Sequence, residues 1–321
     1  MTVSERLPID GYDEVHRLQL DGGVAFLALH AVVAGHAFGG IRIRAYPDEQ
    51  AALDDALALA HAMSHKVVLA GIAGGGGKTV LMAPDPADRA RCVEQLGAFI
   101  ESLGGRYCCG PDLGFTAEDD EALRRGTQYV ACAGMSGATS QGVLACMEAV
   151  AAPLRRVVIQ GAGAVGQPLA EKLQDRGVEV AVADLRAVEG FERVDPDAVY
   201  DEPCDVFAPC AAGGVLDADT IARLRCRWVC GGANNPFATP DDIERLRARG
   251  IGYVPDVISN AGAAVVGAST TLGETDQIEA RLAALGPLAA EVCARAEAED
   301  RSSHHVAREL AEERLAALRA G

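Results

Sequence analysis

The sequence predicts a two-domain α/β protein with a helical C-terminal segment, and three observations carry the prediction. From Arg155 onward, short apolar runs alternate with segments of helical period, the pattern of a parallel sheet with helices on both faces. The first of these runs opens into a G-x-G-x-x-G turn at Gly161, Gly163 and Gly166. The chain has 321 residues and is 49% hydrophobic, enough for more than one core. Only 4% of it is aromatic, so Ala, Val and Leu must fill those cores.

In the first third, "VAFLALHAVV" is an apolar run, and "GIRIRAY" alternates apolar with polar as a half-buried strand does. "YPDEQAALDDALALAHAMSHK" carries Leu53, Leu57 and Ala60 at helical spacing behind an acidic first turn. A second helix over 87–103 stops at Gly104-Gly105, and "RYCCGPDLGFT" reads as a strand entering a loop. Further on, strands are expected in "RRVVIQ", "VEVAVAD", "CDVFAPC", "RWVCGGA" and "IGYVPDV". Helices are expected in "QPLAEKLQDRG", "DTIARLRC" and "DDIERLRARG". From about Ile278 the chain reads as helical, charged on one face. The expected domains are 1–134, 135–277 and a helical 278–321 that packs back toward the first.

The net charge of −17 disfavours a nucleic-acid partner, because phosphate binding relies on a basic face. The N-terminus lacks a basic segment followed by an apolar one, so no signal peptide is expected. No apolar run reaches the roughly 18 residues of a membrane helix. A cytoplasmic location away from membranes is the expectation. The ten cysteines show no C-x-x-C spacing and mostly stand inside apolar stretches. They read as buried reduced thiols, and no metal is expected.

The stretch "GIAGGGGKTV" ends in Gly-Lys-Thr like a phosphate-binding loop, but its spacing is wrong. Such a loop needs a glycine five positions before Gly77, and that position is Ile72. It also opens a helix, whereas Lys78 leads into "TVLMA", a strand pattern. Lys78 therefore needs another explanation.

The second glycine turn is placed as dinucleotide binding requires. It follows an apolar strand, opens a helix, and precedes a strand that ends in Asp184. The domain is therefore expected to be of the Rossmann type, with a pyrophosphate on the helix N-terminus and Asp184 accepting from a ribose hydroxyl pair. A carboxylate there repels a 2′-phosphate, which favours NAD over NADP. Arg186 blurs that preference, since it can neutralise a phosphate.

With a dinucleotide in the second domain, the first should present a substrate, and its polar candidates are Lys66, Lys78 and Asp112. A lysine among glycines can be desolvated by a closing domain, which lowers its pKa and makes it a base. Here the sequence resembles the glutamate/leucine/phenylalanine/valine dehydrogenases, most closely the leucine and phenylalanine branch. The motifs are "FGGIRIRAY", "ALDDALALAHAMSHK", "GGGGKTV", "GRYCCGPDLGFT", the dinucleotide fingerprint, "CDVFAPCAAGG", "GGANNPF" and "VPDVISNAG", with "HHVARELAEERL" like the closing helix.

The resemblance implies that Lys66 pairs with a substrate α-carboxylate, that Lys78 is the catalytic lysine, and that Asp112 relays protons at the amino or imino nitrogen. Phe38, Gly39, Gly40, Met63, Gly110 and Asn260 would line the amino-acid site. The cofactor would meet Gly161, Gly163, Ala164, Val165, Gly166, Asp184, Leu185, Arg186, Thr139, Cys210, Ala211, Ala233, Asn234 and Asn235. The glycines before Lys78 would let substrate and nicotinamide approach it. The implied reaction is reversible oxidative deamination of an apolar L-amino acid to its 2-oxo acid and ammonia, with NAD, in a homo-oligomer. A cleft closing between domains would supply a dry site.

The sequence also departs from the family. "GMSGATSQGV" is shorter than the corresponding loop, "AAVVGAST" follows "NAG", and Phe38 and Gly110 differ from the usual leucine-enzyme residues. The substrate stays open on this basis. Two further readings remain beside the first: an imine-forming oxidoreductase of specialised metabolism on an unusual amino or oxo acid, and a catalytically silent nucleotide-binding protein.

Overall fold

A computed structural model of the protein describes residues 2–131 and 135–320. Cys132 and the expected domain boundary at 134 lie outside them. The chain divides into two compact units. One is Met1–Ala133 with Gly267–Thr275 and Ala311–Gly321; the other is Gly134–Val266 with Asp276–Leu310. Of the helical C-terminal segment, most therefore groups with the second unit and its last part with the first.

The first unit is built on β1 (Val3–Arg6), β2 (Glu14–Leu20), β3 (Gly23–Leu29), β4 (Ala37–Phe38), β5 (Ile41–Arg44), α1 (Glu49–Leu69), β6 (Gly75–Met82), α2 (Pro86–Ser102), β7 (Tyr107–Cys108) and α3 (Ala117–Gly126). The sheet order is β1-β2-β3-β6-β4-β7, with β5 also paired to β6. The strands from β1 to β6 pair antiparallel, while β4 and β5 run parallel to β6. β3 is buried on both faces, which is why "VAFLAL" reads as a continuous apolar run. Phe26 and Ala28 join Ala52, Ala56 and Ala60 of α1 in one core. Leu27 and Leu29 point the other way, into a second core with Val93, Leu96 and Ile100 of α2. The Asp48 carboxylate caps α1 by accepting from the Ala51 N–H, and Pro86 starts α2.

Alanine every fourth residue on α1 has a counterpart in the glycines of β6. A Cβ on Gly76 would stand 2.0 Å from the Ser64 backbone nitrogen, so helix and strand meet backbone to backbone. That close approach replaces the aromatic bulk the composition lacks.

The second unit contains α4 (Ser136–Ala151), β8 (Arg156–Gln160), α5 (Gly166–Gln174), β9 (Glu179–Ala183), β10 (Glu192–Arg193), β11 (Val206–Pro209), α6 (Ala218–Arg223), β12 (Trp228–Val229), α7 (Asp241–Ala248), β13 (Gly252–Tyr253), α8 (Asp256–Ser259) and α10 (Ile278–Ala298). Helix α9 (Gly262–Thr271) begins in this unit, as does the closing helix α11 (Ser303–Ala320). Its sheet order is β10-β9-β8-β11-β12-β13, every pair parallel. This is the expected two-domain α/β architecture. "IGYVPDV" departs from expectation: only Gly252–Tyr253 is strand, and α8 begins at Asp256 after Pro255. No helix among the described residues is long and apolar enough to cross a membrane.

Candidate active site

In the first unit, strand register decides what surrounds Lys78. Phe38 pairs with Gly76 and Ile41 with Thr79, so Gly40 lies beside Lys78, and the Thr79 N–H donates to its carbonyl at 3.0 Å. Phe38 also pairs with Cys108 and Ile41 bridges to Pro111, which sets Gly110 on the other side of Gly40. A Cβ on Gly40 would stand 3.3 Å from Nζ of Lys78, from Cβ of Asp112 and from the Gly110 carbonyl oxygen. Glycine is what leaves that volume to the ammonium and the carboxylate.

Lys78 is only 5% exposed. Its Nζ is 2.7 Å from Oδ2 of Asp112. Nε of Arg42 donates to the same oxygen at 3.0 Å. Nη1 of Arg42 donates to both oxygens of Asp55, at 3.2 and 3.1 Å, and the Tyr46 hydroxyl donates to Asp55 at 2.5 Å. Burial pulls the Lys78 ammonium below its ordinary pKa, against Asp112, which pulls it up. Burial alone would lift the Asp112 carboxyl, but Lys78 and Arg42 overcome it and hold the group well below the usual carboxylate range. The result is a buried amine and carboxylate in direct contact, with a second cation fixed on the carboxylate.

Phe38 stands on the same sheet face as Lys78, because its partner Gly76 is two residues from Lys78 on β6. It is 4% exposed, and its ring fills the space beside Gly74, where a Cβ would come within 2.5 Å of Cε2. Gly39 turns to the opposite face, where a Cβ would strike the Gly77 carbonyl oxygen. Met63 and Lys66 lie in the last two turns of α1, both half-buried. The glycine run before Lys78 is required by the protein's own packing: Gly74 makes room for Phe38 and Gly76 for the α1 backbone. Lys78 itself lies inside β6, as "TVLMA" implied, and opens no helix.

In the second unit, the expected cofactor residues other than Thr139, which lies in α4, gather beyond the carboxyl ends of the parallel strands. Gly161 follows β8, Asp184 follows β9, Cys210 and Ala211 follow β11, and Ala233, Asn234 and Asn235 lie beyond β12. That edge is where open parallel sheets bind nucleotides. The three glycines have three geometries. Gly161 turns with φ of +94°. A Cβ on Gly163 would meet nothing within 4 Å, and one on Gly166 would strike the Gly161 carbonyl oxygen. Turn, open cradle and helix–strand contact are what a pyrophosphate on α5 requires. Ala164 is exposed and Val165 half-buried at the mouth of that helix.

The Asp184 carboxylate is anchored by the Ala162 N–H at 2.8 Å and the Arg186 N–H at 2.8 Å. Those two bonds hold its pKa down. Leu185 beside it is 91% exposed, and the Arg186 side chain extends into solvent. Thr139, 6% exposed, accepts from the Ala263 N–H at 3.2 Å. Asn260 is 5% exposed, and its Nδ2 donates to Oδ1 of Asn234 at 2.9 Å. Its own Oδ1 is buried without a hydrogen-bond partner among the described residues. A buried amide oxygen left unpaired is costly, and it marks an acceptor that a ligand donor can meet.

Residues 16–131 match the sequence model described as Glu/Leu/Phe/Val dehydrogenase, dimerisation domain, and residues 181–317 match that of Glutamate/Leucine/Phenylalanine/Valine dehydrogenase. The chain belongs to the glutamate/leucine/phenylalanine/valine dehydrogenase family. It is an amino-acid dehydrogenase, and family members use a nicotinamide cofactor. It is 36% identical over 274 residues to the leucine dehydrogenase of Thermoactinomyces intermedius, covering 78% of this chain and 75% of that one. It is 34% identical to the valine dehydrogenase of Streptomyces coelicolor, over 96% and 93% of the two chains. The crystal structure of L-tryptophan dehydrogenase from Nostoc punctiforme superposes with a TM-score of 0.84 at 29% identity, covering 97% of this chain and 98% of that one.

The cluster around Lys78 holds residues that the sequence did not single out. Arg42 was legible only as one polar position of an alternating strand, and Asp55 and Tyr46 only as parts of a helix and its approach. Cys108 lies in register with Phe38 on the same face, and its Sγ is 3.3 Å from the Thr271 hydroxyl.

Proposed function

We propose that the protein catalyses NAD-dependent oxidative deamination of an apolar L-amino acid to its 2-oxo acid and ammonia, and the reverse amination. The observation that carries the reading is the buried Lys78–Asp112 pair at 2.7 Å with Arg42 on the same oxygen. The residues about Lys78 would bind the amino acid, and those at the carboxyl ends of β8, β9 and β11 would hold the nicotinamide cofactor, which would supply the hydride acceptor. Lys66 supplies the cation for the α-carboxylate. Lys78, its basicity lowered by burial, takes the proton from the water that adds to the substrate imine. Lys78 hands that proton across the 2.7 Å contact to Asp112, whose carboxylate becomes more basic as Lys78 turns neutral and delivers the proton to the departing amine nitrogen. The pair thus titrates as a unit and passes protons at the substrate nitrogen. Oδ1 of Asn260 offers an acceptor to a bound N–H donor.

The apolar preference rests on Phe38. A side-chain carboxylate buried against its ring finds no counter-charge there, at a cost of several kcal/mol. An apolar side chain gains about 25 cal/mol per Å² buried. NAD is favoured over NADP because the Asp184 carboxylate is fixed in its charged form at the end of β9. The family description of residues 16–131 as a dimerisation domain supports a homo-oligomer. NADH formation over a panel of L-amino acids at alkaline pH tests the reading. Turnover with leucine, valine, phenylalanine or tryptophan supports it, and inertness towards the whole panel overturns it.

A further inference from the structure

Helix α1 carries His61 and His65 one turn apart, which stacks their side chains on one face. Glu312 of α11 meets them there. A ring nitrogen of each histidine and a carboxylate oxygen of Glu312 all lie within 4.8 Å of one another. The two imidazoles stand edge to face with centroids 4.3 Å apart, and the His30 ring lies 4.5 Å beyond His61. Three of the chain's seven histidines therefore occupy one patch. The helix that brings Glu312 is fixed in place. Nη1 of Arg314 donates to the carbonyls of Leu69 at 3.0 Å and Val68 at 3.5 Å, and Arg319 donates to the His30 carbonyl at 3.1 Å.

We propose that His61, His65 and Glu312 form a binding site for a divalent transition-metal ion of the zinc class. Two imidazoles and one carboxylate suit zinc, cobalt or nickel, whereas magnesium and calcium take oxygen ligands. Ligands on a tetrahedral ion with bonds of about 2.0–2.1 Å stand about 3.3 Å apart, so small side-chain rotations close the site. His65 is buried, His61 half-buried and Glu312 exposed, so the three ligands span the edge of the α1–α11 contact. The ion ties α11 to α1 at the turn preceding Lys66, clipping together segments far apart in sequence. The expectation of no metal came from cysteine spacing alone, which is silent on these ligands.

The test uses the full chain stripped with a chelator. Zn²⁺ is titrated calorimetrically, and Co²⁺ is followed by visible absorption, alongside H61Q and E312Q. Both substitutions lie at incompletely buried positions outside the catalytic residues, and circular dichroism checks their fold. The expected result is one ion per chain, a raised thermal midpoint, and nitrogen–oxygen cobalt bands. Loss of a direct ligand should weaken binding by at least the roughly 10–100-fold typical of losing an outer-shell partner. Equal affinity in the variants, a thiolate-to-cobalt band from the cysteines, or no stoichiometric binding would overturn the proposal.

Discussion

Arg42 shares a single carboxylate oxygen with Lys78: its Nε and the Lys78 Nζ stand 3.0 and 2.7 Å from Oδ2 of Asp112. Arginine stays charged throughout the working pH range, so it holds Asp112 ionised while also lowering the Lys78 ammonium pKa. Deamination needs the neutral amine, so activity rises as pH climbs through the Lys78 pKa. Burial places that limb below the roughly 10.4 of a free lysine. Arg42→Gln removes a cation that depresses both partners, so both pKa values rise and the ascending limb moves to higher pH. A kcat/KM profile of the variant that coincides with wild type, or moves to lower pH, contradicts this role.

Gly40 and Gly76 should separate catalysis from folding. A methyl at Gly40 would press on Nζ of Lys78, Asp112 and the Gly110 carbonyl at 3.3 Å. G40A should keep the fold and lose turnover, toward the roughly 10²-fold that a displacement of about 1 Å can cost. A methyl at Gly76 would stand 2.0 Å from the Ser64 nitrogen, so G76A should lose about 1–3 kcal/mol or more of stability. Urea unfolding and steady-state kinetics on both variants read the two effects. Matching unfolding midpoints for G76A and wild type would show that α1 does not need this contact.

Cofactor choice should follow Asp184. Wild type should prefer NAD by kcat/KM, and Asp184→Ala should erode that preference. The substitution also frees the Ala162 and Arg186 N–H groups, so the informative quantity is the NAD:NADP ratio rather than the absolute rate. A wild type that prefers NADP would shift the assignment to Arg186.

Substrate class should follow Phe38. The residue before the paired glycines is a ring packed against Gly74, which offers no counter-charge to a side-chain carboxylate. Comparing kcat/KM for leucine, phenylalanine and glutamate tests the pocket. Glutamate should be poorest, and its winning would overturn the assignment.

Much of this was legible because it is local. Strand and helix periods located the parallel sheet, and α10 begins at Ile278, where the helical tail was expected. The fingerprint glycines carry their geometry in their spacing. What was not legible depends on residues brought together by tertiary structure. Arg42 meets Asp55 across 13 positions and Asp112 across 70. His61 and His65 show a ligand spacing in the sequence, but their third partner is Glu312, on the last helix. The glycines before Lys78 suggested room for a ligand, and a Cβ on any of Gly74 to Gly77 would meet the protein's own backbone or side chains such as Phe38, Leu29 and Tyr107. Composition signals close approach without saying what approaches.

The most direct measurement is NADH formation by wild type and K78A, side by side, with the best amino acid of the panel and with NAD binding measured on both. If Lys78 is the base, K78A should bind NAD as wild type does and turn over about 10²–10⁴-fold more slowly. Near-normal turnover by a folded K78A would contradict the assignment of Lys78 and Asp112 as the proton-transfer pair.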